Sequence, residues 1–175
     1  MIPVILIEAT ETSSNIIEAY HSSNDALDIH NYNPWYLGVH CGTEQAALDR
    51  AKRRNYTKMY KLTFTKDKEE LVLQDLGDAW EGLHLLMLAQ RSGYLSRVDY
   101  DRYRSQQFRQ QFRQQCPQYA NDNYITDQIF RGWAITKGKY HYIKYFNETE
   151  DPGSISYLIF DYRIIQSCEE LYDIN

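Results

Sequence analysis

Two carboxylates in Glu-x-Glu spacing, Glu148 and Glu150, stand in an acidic turn near the end of the chain. They sit at the rim of a predicted central sheet, a common place for chemistry and also where any hairpin puts its polar residues. A second cluster is His40-Cys41-Gly42-Thr43, where a strand end meets a helix start. A histidine, a glycine whose backbone can approach a ligand and a helix-opening threonine can together hold a ribose or an amide by hydrogen bonds. Nothing in the sequence around Cys41 points to an activated thiolate. The third feature is basic. Arg91, Arg97, Arg102, Arg104, Arg109 and Arg113 face only Asp99 and Asp101 over the same stretch.

These residues need elements to position them. Tyr140 to Ser167 reads as strand, acidic turn, strand, with Asn147, Asp151, Pro152 and Gly153 marking the turn. In the second strand Ile155, Tyr157, Ile159 and Asp161 share one face while Ser156, Leu158 and Phe160 share the other, which predicts an interior strand. Trp35 to His40 predicts a short strand, and Thr43 an N-cap for a helix to Arg54 that buries Ala46, Ala47, Leu48 and Ala51. Before these, Ile2 to Ile7 predicts an opening strand. Asn15 to Ile29 predicts a helix capped by Thr12 or Ser13, with a break at Asn31 to Pro34.

Thr57 to Thr65 alternates as a strand, and Glu70 to Leu76 predicts its hairpin or meander partner across Lys66, Asp67 and Lys68. Asp78 is the expected cap of a helix from Ala79 to Arg91, with Trp80, Leu83, Met87 and Leu88 as its apolar stripe. A further helix is expected from Ser96 to about Cys116. Its QQFRQQFRQQ repeat sets Phe108 and Phe112 on a docking stripe with Arg109 and Arg113 beside them. Such a ridge is either a solvated face or, through Arg102, Arg109 and Arg113, a grip on an acidic partner or RNA. Asp122 or Asn123 caps the last predicted helix, which turns Ile125, Ile129, Phe130, Trp133 and Ala134 inward and ends at Gly138. The order is α+β, with a helical insertion over about 79–137 and a short tail after the last strand.

A chain of 175 residues with 43% apolar and 25% charged residues is long enough for a single domain, 1–175, with its own core. The net charge of −5 argues against a general nucleic-acid binder. No segment has the apolar length of a membrane span, and Met1 to Ile7 lacks the basic flank of a signal peptide, so a cytosol is the expected site of action, the chain's own or that of a host. Three cysteines without close spacing, Cys41, Cys116 and Cys168, make neither a disulfide framework nor a structural zinc site. The 16 tyrosines supply rings that fill cores and stack on flat ligands.

The strand ending HCGT with its helix EQAALDRA resembles the first motif of the ADP-ribosyltransferase-like superfamily, in which histidine, glycine and serine or threonine precede a helix. YIKYFNETEDPGSISYLIFDYRIIQS is similar to the closing hairpin of bacterial and phage members, and YKLTFTKDKEELVLQDLGDAW to their middle strands. The resemblance covers about half of the chain and leaves Leu83 to Lys139 outside it. It implies a split-sheet cleft binding NAD as substrate, and mono-ADP-ribosyltransfer to a protein or nucleic-acid acceptor, as in effectors, toxins and phage proteins. His40 would hold the adenosine ribose, the Gly42 backbone would meet the carboxamide, and Thr43 would support the turn. Tyr60, Tyr142 or Tyr145 would stack on the nicotinamide, and Asn147, Ser154 and Ser156 would line the cleft. Glu150, or Glu148 in its place, would bind the ribose 2′-hydroxyl and stabilise the reacting centre. Three departures stand out. The second-motif tyrosine pair typical of the eukaryotic poly-ADP-ribosylating branch is not identifiable. Cys41 intervenes between His40 and Gly42, and Ser156 falls where the poly-ADP-ribosylating branch has its glutamate. If neither turn glutamate reaches in, the resemblance implies an inactive fold that binds an acidic partner through its arginine-rich helix.

Overall fold

The structure is a computed structural model and describes residues 15–30, 37–118 and 121–174. The predicted strand at Ile2 to Ile7 and the break at Asn31 to Pro34 lie outside the described residues, as do Trp35 and Tyr36 of the next strand. The element order is β1 (Ile16–Ser23), β2 (Val39–Cys41), α1 (Glu44–Arg54), β3 (Lys58–Thr65), β4 (Leu71–Val72), α2 (Gly82–Arg91), α3 (Arg97–Arg104), α4 (Gln106–Gln115), α5 (Asp122–Trp133), β5 (Tyr142–Phe146), β6 (Ile155–Ile159) and β7 (Ile165–Asp173). The class is α+β. A π-helical turn, Ala134–Gly138, extends α5, and a 3-10 turn, Tyr162–Ile164, leads into β7.

The strands form two sheets, a three-stranded one in the order β1-β3-β7 and a four-stranded one in the order β2-β6-β5-β4. They face each other across an apolar layer that includes Ile17, Ala19, Val39, Leu62, Phe64 and Tyr142. Strand β6 is buried along its whole length, between β2 and β5, as its two apolar faces predict. Ile155, Tyr157 and Ile159 enter the layer between the sheets, whereas Leu158 and the following Phe160 enter the core shared with the helices. That second core holds Leu85, Leu86 and Ala89 of α2 and Ile125, Ile129, Phe130 and Trp133 of α5. The two helices approach closely because Gly82 has no side chain: a Cβ there would lie 2.2 Å from the backbone of Thr126.

Several elements differ from their sequence reading. Residues 16–23 form a strand, where a helix is expected over Asn15 to Ile29. Ile16, Ile17 and Tyr20 fit a helical stripe, but Ile17 and Ala19 also fit a two-residue period, and eight-residue pairing with β3 decides between them. The β3–β4 hairpin does not form. Strand β4 runs parallel to β5 in the other sheet, because Asp67 in the connection is drawn to His141, its carboxylate accepting from the backbone N–H at 2.8 Å and contacting Nδ1 at 2.5 Å. Asp78 caps nothing and pairs with Arg53 and Arg54, and α2 starts four residues later with Gly82, Leu85, Leu86 and Ala89 buried. Leu83 of the predicted stripe is exposed. The helix from Ser96 to Cys116 is two helices, because the Ser105 hydroxyl accepts from Phe108 N–H and opens α4. The short tail is the edge strand β7, paired with β3.

Candidate active site

Thr43 is extended and its Oγ1 accepts from Ala46 N–H at 3.1 Å, the N-cap its sequence position predicts. This cap fixes α1 against the ends of β1 and β2. Gly42 joins the sheets there: its N–H donates to Tyr20 O at 2.9 Å, and its carbonyl accepts from Tyr20 N–H at 2.8 Å. The backbone expected to meet a carboxamide is thus spent on Tyr20. Glycine is needed for another reason, since a Cβ would stand 2.3 Å from Ser156 Oγ.

The β5–β6 turn closes the opposite side. Asn147 shapes it with every group it has: its Oδ1 accepts from Thr149 N–H and Glu150 N–H, and its Nδ2 donates to Ser156 Oγ at 2.9 Å. Asn147 is therefore a turn former on the wall more than a free ligand donor. The bend breaks the strand parity that would put both glutamates on one face. Glu150 is 3% exposed and points inward, while Glu148 is exposed and gives its backbone N–H to Asp75.

Glu150 meets His40, Gly42, Tyr145, Asn147 and Ser156 in one crevice, completed by Tyr20, His21, Ser22 and Arg50. Its free space is only about 10 Å³, but a cleft of about 610 Å³ opens beside it and shares His21, Ser22, His40 and Arg50. Ser22 Oγ is buried on the shared wall without a hydrogen-bond partner among the described residues, an orphan of the kind that ligands satisfy. Of the three candidate stacking tyrosines, Tyr145 lines this site. Its hydroxyl lies 3.1 Å from His40 Nδ1, and Trp80 packs on both rings. Tyr60 instead reaches Asp25 O and Glu170, and Tyr142 lies between the sheets, so neither lines the crevice. Ser154 Oγ is buried without a partner among the described residues, and it too is not on the crevice wall.

Electrostatics separate the groups sharply. Burial, with Arg50 adding to it, holds His40 well below the ordinary histidine range, and burial lowers His21 to about 4. Both are neutral imidazoles at pH 7, and His21 Nδ1 carries its proton toward His40 O at 2.7 Å. Burial pushes the Cys41 thiol far up, so it is no nucleophile. Burial also works against the Glu150 anion, but Arg50, then Arg53, outweigh it and hold the carboxyl below its ordinary range. Arg50 Nε and a terminal nitrogen span its two oxygens at 3.2 and 3.0 Å, and Arg53 makes a short second contact. Sequence reading passes over both arginines and His21, because their partners are distant in the chain.

All three depressed groups bind protons more readily in the unfolded chain, so their contribution is complete at neutral pH and is lost on acidification. The unfolding free energy should start to fall below about pH 6.5, as the unfolded histidines charge, and continue through the range of Glu150. Denaturant titration followed by circular dichroism between pH 8 and 4 reads this, and His21→Gln should flatten the decline between about pH 6.5 and 4.

The arginine ridge is largely engaged with its own helices. Arg97 and Arg104 pair with Asp101, Arg113 with Asp122, and Arg102 covers the ring of Phe108. Arg109 is half-buried, and its Nε has no partner among the described residues. Phe108 and Phe112 dock on the helical core as their spacing predicts. Among the described residues no helix is long and apolar enough to cross a membrane, and no cluster of side chains could hold a metal ion.

No protein-family model matches the chain, and no curated protein matches it. A solved structure described as the crystal structure of an anti-CRISPR protein is similar over 93% of this chain and 100% of that chain, at 13% identity and a TM-score of 0.42. Likeness at that level carries no conclusion about fold or function.

Proposed function

We propose that the chain is a mono-ADP-ribosyltransferase that works in a cytosol, cleaves the nicotinamide glycosidic bond of NAD and passes ADP-ribose to a protein or nucleic-acid acceptor. The observation that carries this reading is the convergence of His40 and Glu150, from motifs far apart in sequence, on one crevice. The facing sheets with a helical segment between β4 and β5 support a core of the ADP-ribosyltransferase type. The neighbouring cleft of about 610 Å³ is of a size typical for small-molecule sites, and the Ser22 hydroxyl awaits a partner on its wall.

In this reaction the bond from C1′ to the nicotinamide nitrogen breaks and its electron pair leaves with the ring, which becomes neutral. Positive charge passes to the sugar, and the Glu150 anion opposes it from a buried, fixed position. A lone pair of the acceptor then closes on C1′ and the acceptor loses its proton to solvent. Tyr145 takes the ring-stacking place and His40 the ribose contact. Glu148, exposed outside the turn, is left to meet an acceptor. The reading requires the crevice to widen when the dinucleotide enters from the cleft.

The test is incubation of the chain with NAD labelled in its adenylate phosphate, alone and with cell lysate. Release of nicotinamide with transfer of label is expected. Release no faster than with heat-denatured chain would remove the reading.

A further inference from the structure

Building on the transferase reading, we propose that Arg50 is a positioning residue of the reaction: its guanidinium fixes the Glu150 carboxylate in the crevice as an anion, with Arg53 as the outer half of the clamp. Three neighbouring ties lock helix α1 to the β5–β6 turn. Thr43 Oγ1 donates to Asp151 Oδ2 at 2.5 Å, Asp151 N–H donates to Asp49 Oδ2 at 3.1 Å, and Arg50 forks onto Glu150. The cap of the helix and the register of its second turn therefore set where the carboxylate stands.

The two arginines are not equivalent. The Arg50 side chain is 15% exposed, lines both crevice and cleft, and spans both oxygens of Glu150. Arg53 is 33% exposed and is shared with Asp78, which also takes Arg54. Without Arg50, burial would push the carboxyl toward its neutral form against Arg53 alone, and a neutral acid cannot oppose charge on the sugar. The other charged groups around the turn include Asp49 and Asp78 on the α1 side, Asp75, which accepts from Glu148 N–H, and Asp151 and Glu148 on the turn itself. Being acidic, they favour protonation of Glu150, and the neutral His21 and His40 give it no counter-charge. The two arginines supply the only positive charge facing it among the described residues, and Asn147 Nδ2 adds a longer hydrogen bond to Oε2 at 3.4 Å.

The experiment compares wild type, Arg50→Gln, Arg50→Lys and Arg53→Gln by pH profiles of nicotinamide release between pH 4.5 and 8. The Glu150 side-chain carboxyl is followed in parallel by ¹³C NMR, assigned with Glu150→Gln. Arg50→Gln should move the acid limb of kcat and the carboxyl titration upward by at least about one pH unit. Arg50→Lys should restore part of the shift, and Arg53→Gln should move both by less in the same direction. A purely structural bridge would lower kcat equally at every pH, and a Glu150 resonance titrating as in wild type would overturn the inference outright. If Arg50→Gln does not fold, the absence of any shift in Arg53→Gln overturns it instead. A wild type that releases no nicotinamide sinks the transferase reading and the catalytic meaning of the clamp, while the carboxyl titration still shows whether Arg50 holds the anion.

Discussion

Glu150→Gln is expected to slow nicotinamide release by about 10²- to 10³-fold, the loss typical when one preorganised electrostatic partner of a transition state is removed. Glutamine keeps the volume of the side chain and one oxygen for Arg50, so the turn can still close. It cannot oppose the charge that develops on the ribose. It also leaves two guanidiniums facing a neutral amide in a buried site, and removing one member of such a pair costs about 3 kcal/mol. For a chain of this length that is a fall in Tm of about 6–12 °C. Rate must therefore be compared at a temperature where circular dichroism shows both proteins folded. Glu148→Gln is the control: the side chain is exposed, and its loss should leave release of nicotinamide to water near wild type while affecting transfer to an acceptor. Full release by folded Glu150→Gln would show that this carboxylate does no chemistry.

Local features of the site were legible in the chain, and the long-range ones were not. The Thr43 cap, the alanine face of α1 and the two apolar faces of β6 depend on neighbours a few residues away, so their periods and capping chemistry can be read directly. Strand β1 is ambiguous in the sequence because Ile16, Ile17 and Tyr20 fit a helical stripe while Ile17 and Ala19 fit a strand, and only pairing with β3 chooses. The Asp67–His141 contact, which sends β4 to the other sheet, joins residues that nothing in the sequence relates. Within the site, the choice between Glu148 and Glu150 was undecidable from parity. The Asn147 side chain makes it by capping two N–H groups of the turn. Arg53 resembles an ordinary basic residue of a helix's last turn, where a favourable dipole already accounts for it, and Arg50 an ordinary mid-helix surface charge.

Tyr142 shows how far a residue type can mislead about its role, and its replacement has the largest predicted effect on stability. The ring is fully buried between the sheets, packed edge-on against Phe64 and Tyr157 with centroids 5.5 Å away in each case. Its hydroxyl donates to Glu70 at 2.8 Å and accepts from Asp67 N–H at 3.3 Å, tying the β3–β4 connection to β5. Tyr142→Ala should cost about 3–5 kcal/mol, as for other large aromatic cavities, and leave much of the chain unfolded or aggregated at 37 °C. Tyr142→Phe keeps the packing and removes only the hydroxyl, for about 1–2 kcal/mol. Urea unfolding of the two variants separates the ring from its hydroxyl. If Tyr142 stacked on nicotinamide, Tyr142→Phe would be silent in both stability and KM, and Tyr142→Ala would raise KM in a stable protein. The structure predicts the reverse: a stability loss graded from Phe to Ala, with KM for NAD unchanged in the folded fraction. Tyr145→Phe should instead lower kcat/KM several-fold through the lost contact with His40 Nδ1, at a stability cost of about 1–2 kcal/mol like that of Tyr142→Phe. The two tyrosines lie three residues apart in one strand, so a kinetic effect at Tyr145 alone would place the reacting face of β5 at Tyr145 and its structural face at Tyr142.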